Sequence, residues 1–372
     1  MKARHFLFVV AAAGVVLGSA LPASAASAAP PVAGTVTYLT FDVGGVIPGA
    51  VDTNVTGLTA TASTPGLVVG TYQDGTGRHG FIAHTGAGFS ISSIETIDVG
   101  GSADVHVTSV NSAGTVSGYY LGTADSVEHG FIRDSAGTFT WLDDPSAVPA
   151  LASGGNMGPP FYGDQFLGGT FPGQVTADGT VVGFYSVADP GGNTVLHGFT
   201  WTTRGTWTTV DAADAMASGG LMLGTQLFGM TGGRKVGSVV VNNSDTGTGT
   251  EKGLLIVGHH AKTYFTPTPL SRTWCGWVAI TAINLAGTMA GTAGNGCSVT
   301  EISWLRHRGM WTALQYTDAA NTATETIVSG LSNEGLVTGT WNTWPGEPGG
   351  SWLSPDNPAG YGLWHGFIAI PS

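Results

Sequence analysis

Apolar and polar residues alternate in short runs that are broken every five to eight positions by turn-forming clusters. In one stretch the runs are Val107–Asn111, Thr115–Tyr120, His129–Arg133 and Thr138–Leu142, separated by Asn111-Ser112-Ala113-Gly114 and Asp134-Ser135-Ala136-Gly137. Period-2 alternation with β-branched and aromatic content predicts strands, and the Asn/Asp/Gly clusters predict tight turns. No long 3.6-residue apolar period is present, and the 60 glycines weigh against helices. We name the four strands of this unit a, b, c and d.

The unit recurs at a spacing near fifty residues, which marks an array of one supersecondary element. Starts of strand c fall at His79, His129, His197, Lys252, Glu301 and His365, giving six copies. Four strands per copy predict an all-β fold, a β-propeller of six four-stranded blades occupying residues 29–372 as one domain, with repeats beginning near 36, 89, 138, 206, 264 and 311. The chain opens on a d-like run, Val36–Phe41 followed by Asp42, and finishes on a c-like run, His365–Ile370. The N-terminal strand is therefore expected to complete the last blade and close the ring. A β-helix or a sandwich is the alternative architecture with similar strand density.

Two motifs ride on this pattern. The first runs from a His-Gly-Phe segment to an Asp 14 positions later, as in His129-Gly130-Phe131…Leu142-Asp143 and His197-Gly198-Phe199…Val210-Asp211. The second is the a–b junction, Val110-Asn111-Ser112-Ala113-Gly114-Thr115-Val116-Ser117-Gly118 and Ala282-Ile283-Asn284-Leu285-Ala286-Gly287-Thr288-Met289-Ala290-Gly291. Together they resemble the bacterial extracellular repeat proteins of the HAF family, with their His-Ala/Gly-Phe and Gly-Ile-Asn-x-x-Gly segments. The resemblance spans nearly all of the chain after its first thirty residues and is weakest in the fourth and fifth copies. It implies secretion and a repeat fold, and carries no activity.

The N-terminus changes the picture of compartment. Lys2, Arg4 and His5 precede an apolar stretch from Phe6 to Gly18 and small-residue positions at Ala23-Ser24-Ala25 and Ala26-Ser27-Ala28. That order predicts a secretory signal over residues 1–28 and an extracellular product, since the apolar stretch is too short to cross a bilayer. Removing it leaves ten basic against 24 acidic residues, a net charge of −14. Such a balance argues against nucleic acid and membrane lipid as partners. Cys275 and Cys297 are the only cysteines, so one disulfide is expected outside the cell. Two lone cysteines lack the paired spacing of a zinc site, and no metal or other cofactor is expected.

Candidate chemistry is sought where the frame does not repeat. The a–b and c–d turns are short, whereas the d–a and b–c connections are long and meet on the opposite face, where a ligand site is expected. The recurring His–Asp pairs, His129 with Asp143 and His197 with Asp211, read as structural, because a catalytic group is needed once and not once per blade. Tyr72, Tyr120, Tyr185 and Trp341 end successive b strands and read the same way. His106 has no counterpart in other copies and could serve as a general base. Trp344, Trp352 and Tyr361 lie in an aromatic-rich insert that could stack on sugars or on a protein. Two function classes follow. The preferred one is a secreted, monomeric binding module for an extracellular glycan or protein. The alternative is a polysaccharide-active enzyme at the channel mouth: a lyase using His106 and Tyr120, or a hydrolase using two of Asp143, Asp144 and Asp164. The same aspartates could take Ca²⁺, although their spacing matches no known loop.

Overall fold

A computed structural model describes residues 36–148, 168–188, 194–212, 223–243, 248–264, 276–295, 298–317, 323, 325–342 and 364–371. Strand β1 (Val36–Thr40) comes first. The first blade is β2 (Val51–Leu58), β3 (Gly66–Asp74), β4 (Gly77–Thr85) and β5 (Ile91–Ile97). The second is β6 (Val105–Val110), β7 (Val116–Leu121), β8 (Glu128–Arg133) and β9 (Phe139–Trp141). The third is β10 (Thr170–Val175), β11 (Val181–Ala188), β12 (Thr194–Trp201) and β13 (Trp207–Thr209). The fourth is β14 (Leu223–Thr231), β15 (Arg234–Asn243), β16 (Thr248–Val257) and β17 (His260–Tyr264). The fifth is β18 (Gly276–Ile283), β19 (Met289–Asn295), β20 (Ser298–His307) and β21 (Met310–Leu314). The sixth holds β22 (Glu325–Leu331), β23 (Val337–Asn342) and β24 (His365–Pro371), with β1 as its outer strand.

The fold is thus a β-propeller closed by its N-terminal strand. β1 pairs antiparallel with β24, from Val36 opposite Pro371 to Thr40 opposite Phe367. Four blades are separate four-stranded sheets. The third and fourth merge into one eight-stranded sheet through a short parallel contact, Leu196 opposite Gly224. The same parallel bridge recurs as Arg78 with Asp104 and Glu128 with Gly169, so the residue before each c-strand histidine touches the start of the next inner strand.

Every inner strand carries a β-bulge at the same level, between Val55 and Gly57, Val107 and Ser109, Pro172 and Val175, Leu227 and Gly229, Ile280 and Ala282, and Val328 and Gly330. A bulge bends the strand and re-aims one side chain. Here it frees hydroxyls to tie blades together: Thr56 donates to the Val107 carbonyl at 2.8 Å and Thr108 to the Gly173 carbonyl at 2.8 Å. The asparagine of the a–b motif does similar work at the turn. Asn111 accepts from the Ala113 and Thr115 amides through Oδ1, while its Nδ2 donates to the Thr176 carbonyl of the next blade.

The core lies between blades. Phe81, Phe131, Phe199 and Phe367 of the His-Gly-Phe segments are fully buried, and each ring rests on a glycine of the neighbouring b strand. A Cβ at Gly118 would stand 2.5 Å from the Phe131 ring and 2.2 Å from the His106 carbonyl. Two details differ from the sequence reading. Gly291 opposes Trp304, so the residue at the histidine position of the fifth blade is Ile302, one beyond Glu301; a degenerate copy offers no motif to fix a one-residue register. The repeat start expected near 264 falls on the last residue of β17, Tyr264, and not at its beginning, because exposed His260 and Lys262 hide the outer strand's apolar signal.

Candidate functional site

The histidines of the repeat form one construction four times. In the second blade, Asp143 Oδ2 lies 3.1 Å from His129 Nδ1, and its Oδ1 accepts from the Gly130 amide at 3.2 Å. In the sixth, Asp42 grips His365 Nδ1 at 2.7 Å and the Gly366 amide at 3.2 Å. Asp211 holds His197 at 2.7 Å, and Asp98 holds His79. An aromatic ring opposite each histidine stacks on it: Tyr72, Tyr120, Tyr185 and Trp341, with centroids 4.8 to 5.6 Å apart. One carboxylate therefore fixes the ring and the backbone at the start of strand c, from the strand end that must meet it. The fourth and fifth blades lack the construction, with Lys252 and Ile302 at the histidine positions.

Charge couples these contacts to pH. Bonds from Asp211 and from Asp42 raise His197 and His365 above the ordinary imidazole value despite opposing burial. For His79 burial is the largest influence and lowers it, yet Asp98 and Asp74 together prevail and raise it. A raised folded value means that the stabilisation is fully present below about pH 6.5 and is lost as pH rises through the folded value. Stability is therefore expected to fall between about pH 6 and 8, by roughly 0.5–1 kcal/mol for each pair. Urea titrations at the two pH values check this, and His197→Gln should flatten part of the slope.

His106 lies inside β6 and is 8% exposed. Its Nε2 is 2.8 Å from Asp104 Oδ1 and 3.0 Å from an Arg78 nitrogen, and its ring stacks on Tyr119 at 4.5 Å with an interplanar angle of 7°. Burial alone would raise the Asp104 carboxyl; His106 and Arg78 outweigh it and hold it at about 2. The pairing expected of a lyase is not formed. His106 opposes Tyr119 while Tyr120 opposes Val105, and successive strand residues face opposite sides of a sheet. Tyr120 is instead bracketed by His129 and Trp141, and burial raises its hydroxyl. Asp143 is engaged with His129 and Gly130. Asp144 is turned into its own loop, accepting from the Ser146 amide at 2.8 Å. Asp164, Trp344, Trp352, Tyr361, Cys275 and Cys297 lie outside the described residues. Among the described residues, no three His, Cys, Asp or Glu side chains converge as a metal site.

Among the described residues, a space that could admit a ligand lies at the other end of the channel. A cavity of about 570 Å³ opens on the short-turn face, bounded by all six inner strands and their a–b turns. Thr56, Thr108, Gln174, Thr281 and Ser329 contribute hydroxyl and amide groups, and Phe228 and Met230 an apolar wall. Among the described residues, Asp178 and Glu334 are the only charged ones lining it, and both belong to turns. A row of rings from Tyr119 through Phe171 and Phe184 to Phe228 runs between the His106 cluster and this wall. The lengths of the connections had pointed to the opposite, long-loop face. The signal for the cavity was available in the sequence as the polar residue shortly before the a–b turn in five of the six copies, Thr56, Thr108, Gln174, Thr281 and Ser329, where an inner strand would otherwise be apolar.

No protein-family model and no curated protein matches the sequence. Among solved structures, the chain is similar to the β-propeller domain of the Trilobed protease from Pyrococcus furiosus, at 10% identity and a TM-score of 0.40, over 83% of this chain and 97% of that one. It is also similar to the acylaminoacyl peptidase of Pyrococcus horikoshii, at 10% identity and a TM-score of 0.39, over 85% of this chain and 54% of the peptidase.

Proposed function

We propose that the protein is an exported, non-catalytic propeller module that binds a carbohydrate in the cavity at the short-turn end of its channel. The observation that carries this reading is the lining itself: hydroxyl and amide groups from five inner strands beside an apolar wall from the remaining one, within the size range of small-molecule sites. Sugars present both hydroxyls and C–H faces, which such a wall complements. The repeated histidines and aspartates are engaged with each other and with backbone, and His106 and Tyr120 stand on opposite sheet faces, which removes support from the lyase alternative. Protein ligands on the long-loop face are the second reading, resting on the aromatic insert.

Incubation with a panel of neutral oligosaccharides, followed by calorimetry and product analysis, tests it. Saturable binding with the sugar recovered intact is the expected outcome. Release of new reducing ends or unsaturated products, or no binding across the panel, would overturn it.

A further inference from the structure

The net charge of the chain hides a strong asymmetry. Seven of its twelve Lys and Arg fall between residues 234 and 308, against three of its 24 Asp and Glu. The structure puts most of these cations on the short-turn ends of the fourth and fifth blades. Arg234 follows the a–b turn of the fourth blade and donates to the Leu285 carbonyl on the fifth, at 2.9 Å, beside the cavity mouth. Farther along the same seam, Lys262 and Arg306 share the Tyr264 ring, at 5.2 and 5.1 Å from its centroid, and Arg306 also lies 5.4 Å from that of Trp311. Exposed Arg308, His259 and His260 flank them on the c–d turns.

Among the described residues, three of the five most exposed large apolar side chains stand among these cations: Val257, Leu285 and Met310, at 48, 61 and 60% exposure. They occupy separate turns and form no continuous apolar patch of the kind a bilayer or an obligate protein partner covers. Carboxylates at the opposite end, such as Asp42, Asp143 and Asp211, are separated from the seam by the length of a strand. At about 3.3 Å per residue that length exceeds the Debye length of about 8 Å at physiological ionic strength. The carboxylates of the long-loop end therefore do little to repel an anion arriving at the seam, and the two acids of the cavity rim, Asp178 and Glu334, belong to the third and sixth blades and not to the seam itself.

We propose that the seam between the fourth and fifth blades carries a carboxylated polysaccharide, whose chain leads outward from the cavity past Arg234, Lys262, Arg306 and Arg308. The cations meet its carboxylates, while Val257, Leu285 and Met310 meet the C–H faces of its rings. This rests on reading the cavity as a carbohydrate site, and it names the class of polymer that site would take.

Polygalacturonate and its methyl ester, which keeps the backbone and removes the charge, are the probes. Wild-type protein should bind the acid form about tenfold more tightly than the ester at low salt, with the difference shrinking as salt rises. Lys262→Glu/Arg308→Glu, two exposed positions, should abolish that preference and leave ester binding intact. Equal binding of both forms by wild type, or an unchanged preference in the variant, would overturn the seam while leaving the cavity reading standing. Charge-dependent binding that survives Ser112→Trp at the cavity rim would do the reverse. Binding to phosphatidylglycerol vesicles with no binding to polygalacturonate would identify the face as a membrane surface and refute the proposal.

Discussion

Phe131→Ala is expected to lower stability by about 3–5 kcal/mol, the range for emptying a buried aromatic position. Phe131 is fully buried between the second blade and its neighbours, and it packs edge-on against Phe139 at 5.5 Å. Its ring fills the space that Gly118 leaves on β7. Adjacent Gly130 has no room either: a Cβ there would meet the Leu142 carbonyl and the Pro172 ring, each at 2.7 Å. The site is bounded by backbone on several sides, so it cannot collapse to close the void. Urea denaturation reads the loss directly. A drop below about 1 kcal/mol would mean that the repeat aromatics are not what holds blade to blade. Gly118→Ala should be costly in the same assay, since the new methyl group collides with backbone that other bonds hold in place.

Removing residues 36–42 is expected to abolish the cooperative thermal transition altogether. The deletion strips the outer strand from β24 and leaves a row of unpaired backbone groups on its edge. It also takes away Asp42, which satisfies both His365 and the Gly366 amide. The strand reaches beyond its own blade. Tyr38 packs on Tyr316 at 5.3 Å, Thr40 bonds the Tyr316 hydroxyl at 2.5 Å, and Phe41 stacks on Phe81 of the first blade at 6.4 Å. Burial pushes the Tyr38 hydroxyl up to about 12. Calorimetry of the truncated chain, with and without a synthetic peptide of residues 36–42, makes the test. A transition within about 3 °C of wild type, the shift that roughly 1 kcal/mol produces in a domain of this size, would refute ring closure by this strand.

Much of this frame is legible in the amino-acid order because its parts are local and repeated. Strand alternation, the Asn-x-x-Gly turns and the fixed distance from His129 to Asp143 each depend on residues close in sequence, and six copies average out the exceptions. The closing role of Val36–Phe41 was legible for the same reason, as a d strand without its own blade. Register was not legible where the motif decays: Ile302 and Glu301 differ by one position, and only pairing with β19 decides between them. Face was harder still. His106 and Tyr120 look like neighbours in the chain, yet the bulge and the pleat send them to opposite sides. The cavity was missed because its lining is assembled from short segments of every blade, at bulges and turns whose convergence alternation alone does not reveal. Charge asymmetry was concealed by a net value that sums two ends of a ring held a strand apart.

If the repeated histidines are scaffold and the channel cavity is the binding site, variants at the two places should behave differently. Calorimetric titration of a neutral oligosaccharide bound by wild type, into His129→Gln/His197→Gln and into Ser112→Trp, compares the two directly. The histidine variant should melt earlier but bind with unchanged affinity once folded, whereas the tryptophan at the exposed rim should leave melting nearly unchanged and weaken binding at least about tenfold, the equivalent of about 1.4 kcal/mol. Intact binding in Ser112→Trp, together with binding lost in the folded histidine variant, would contradict that assignment.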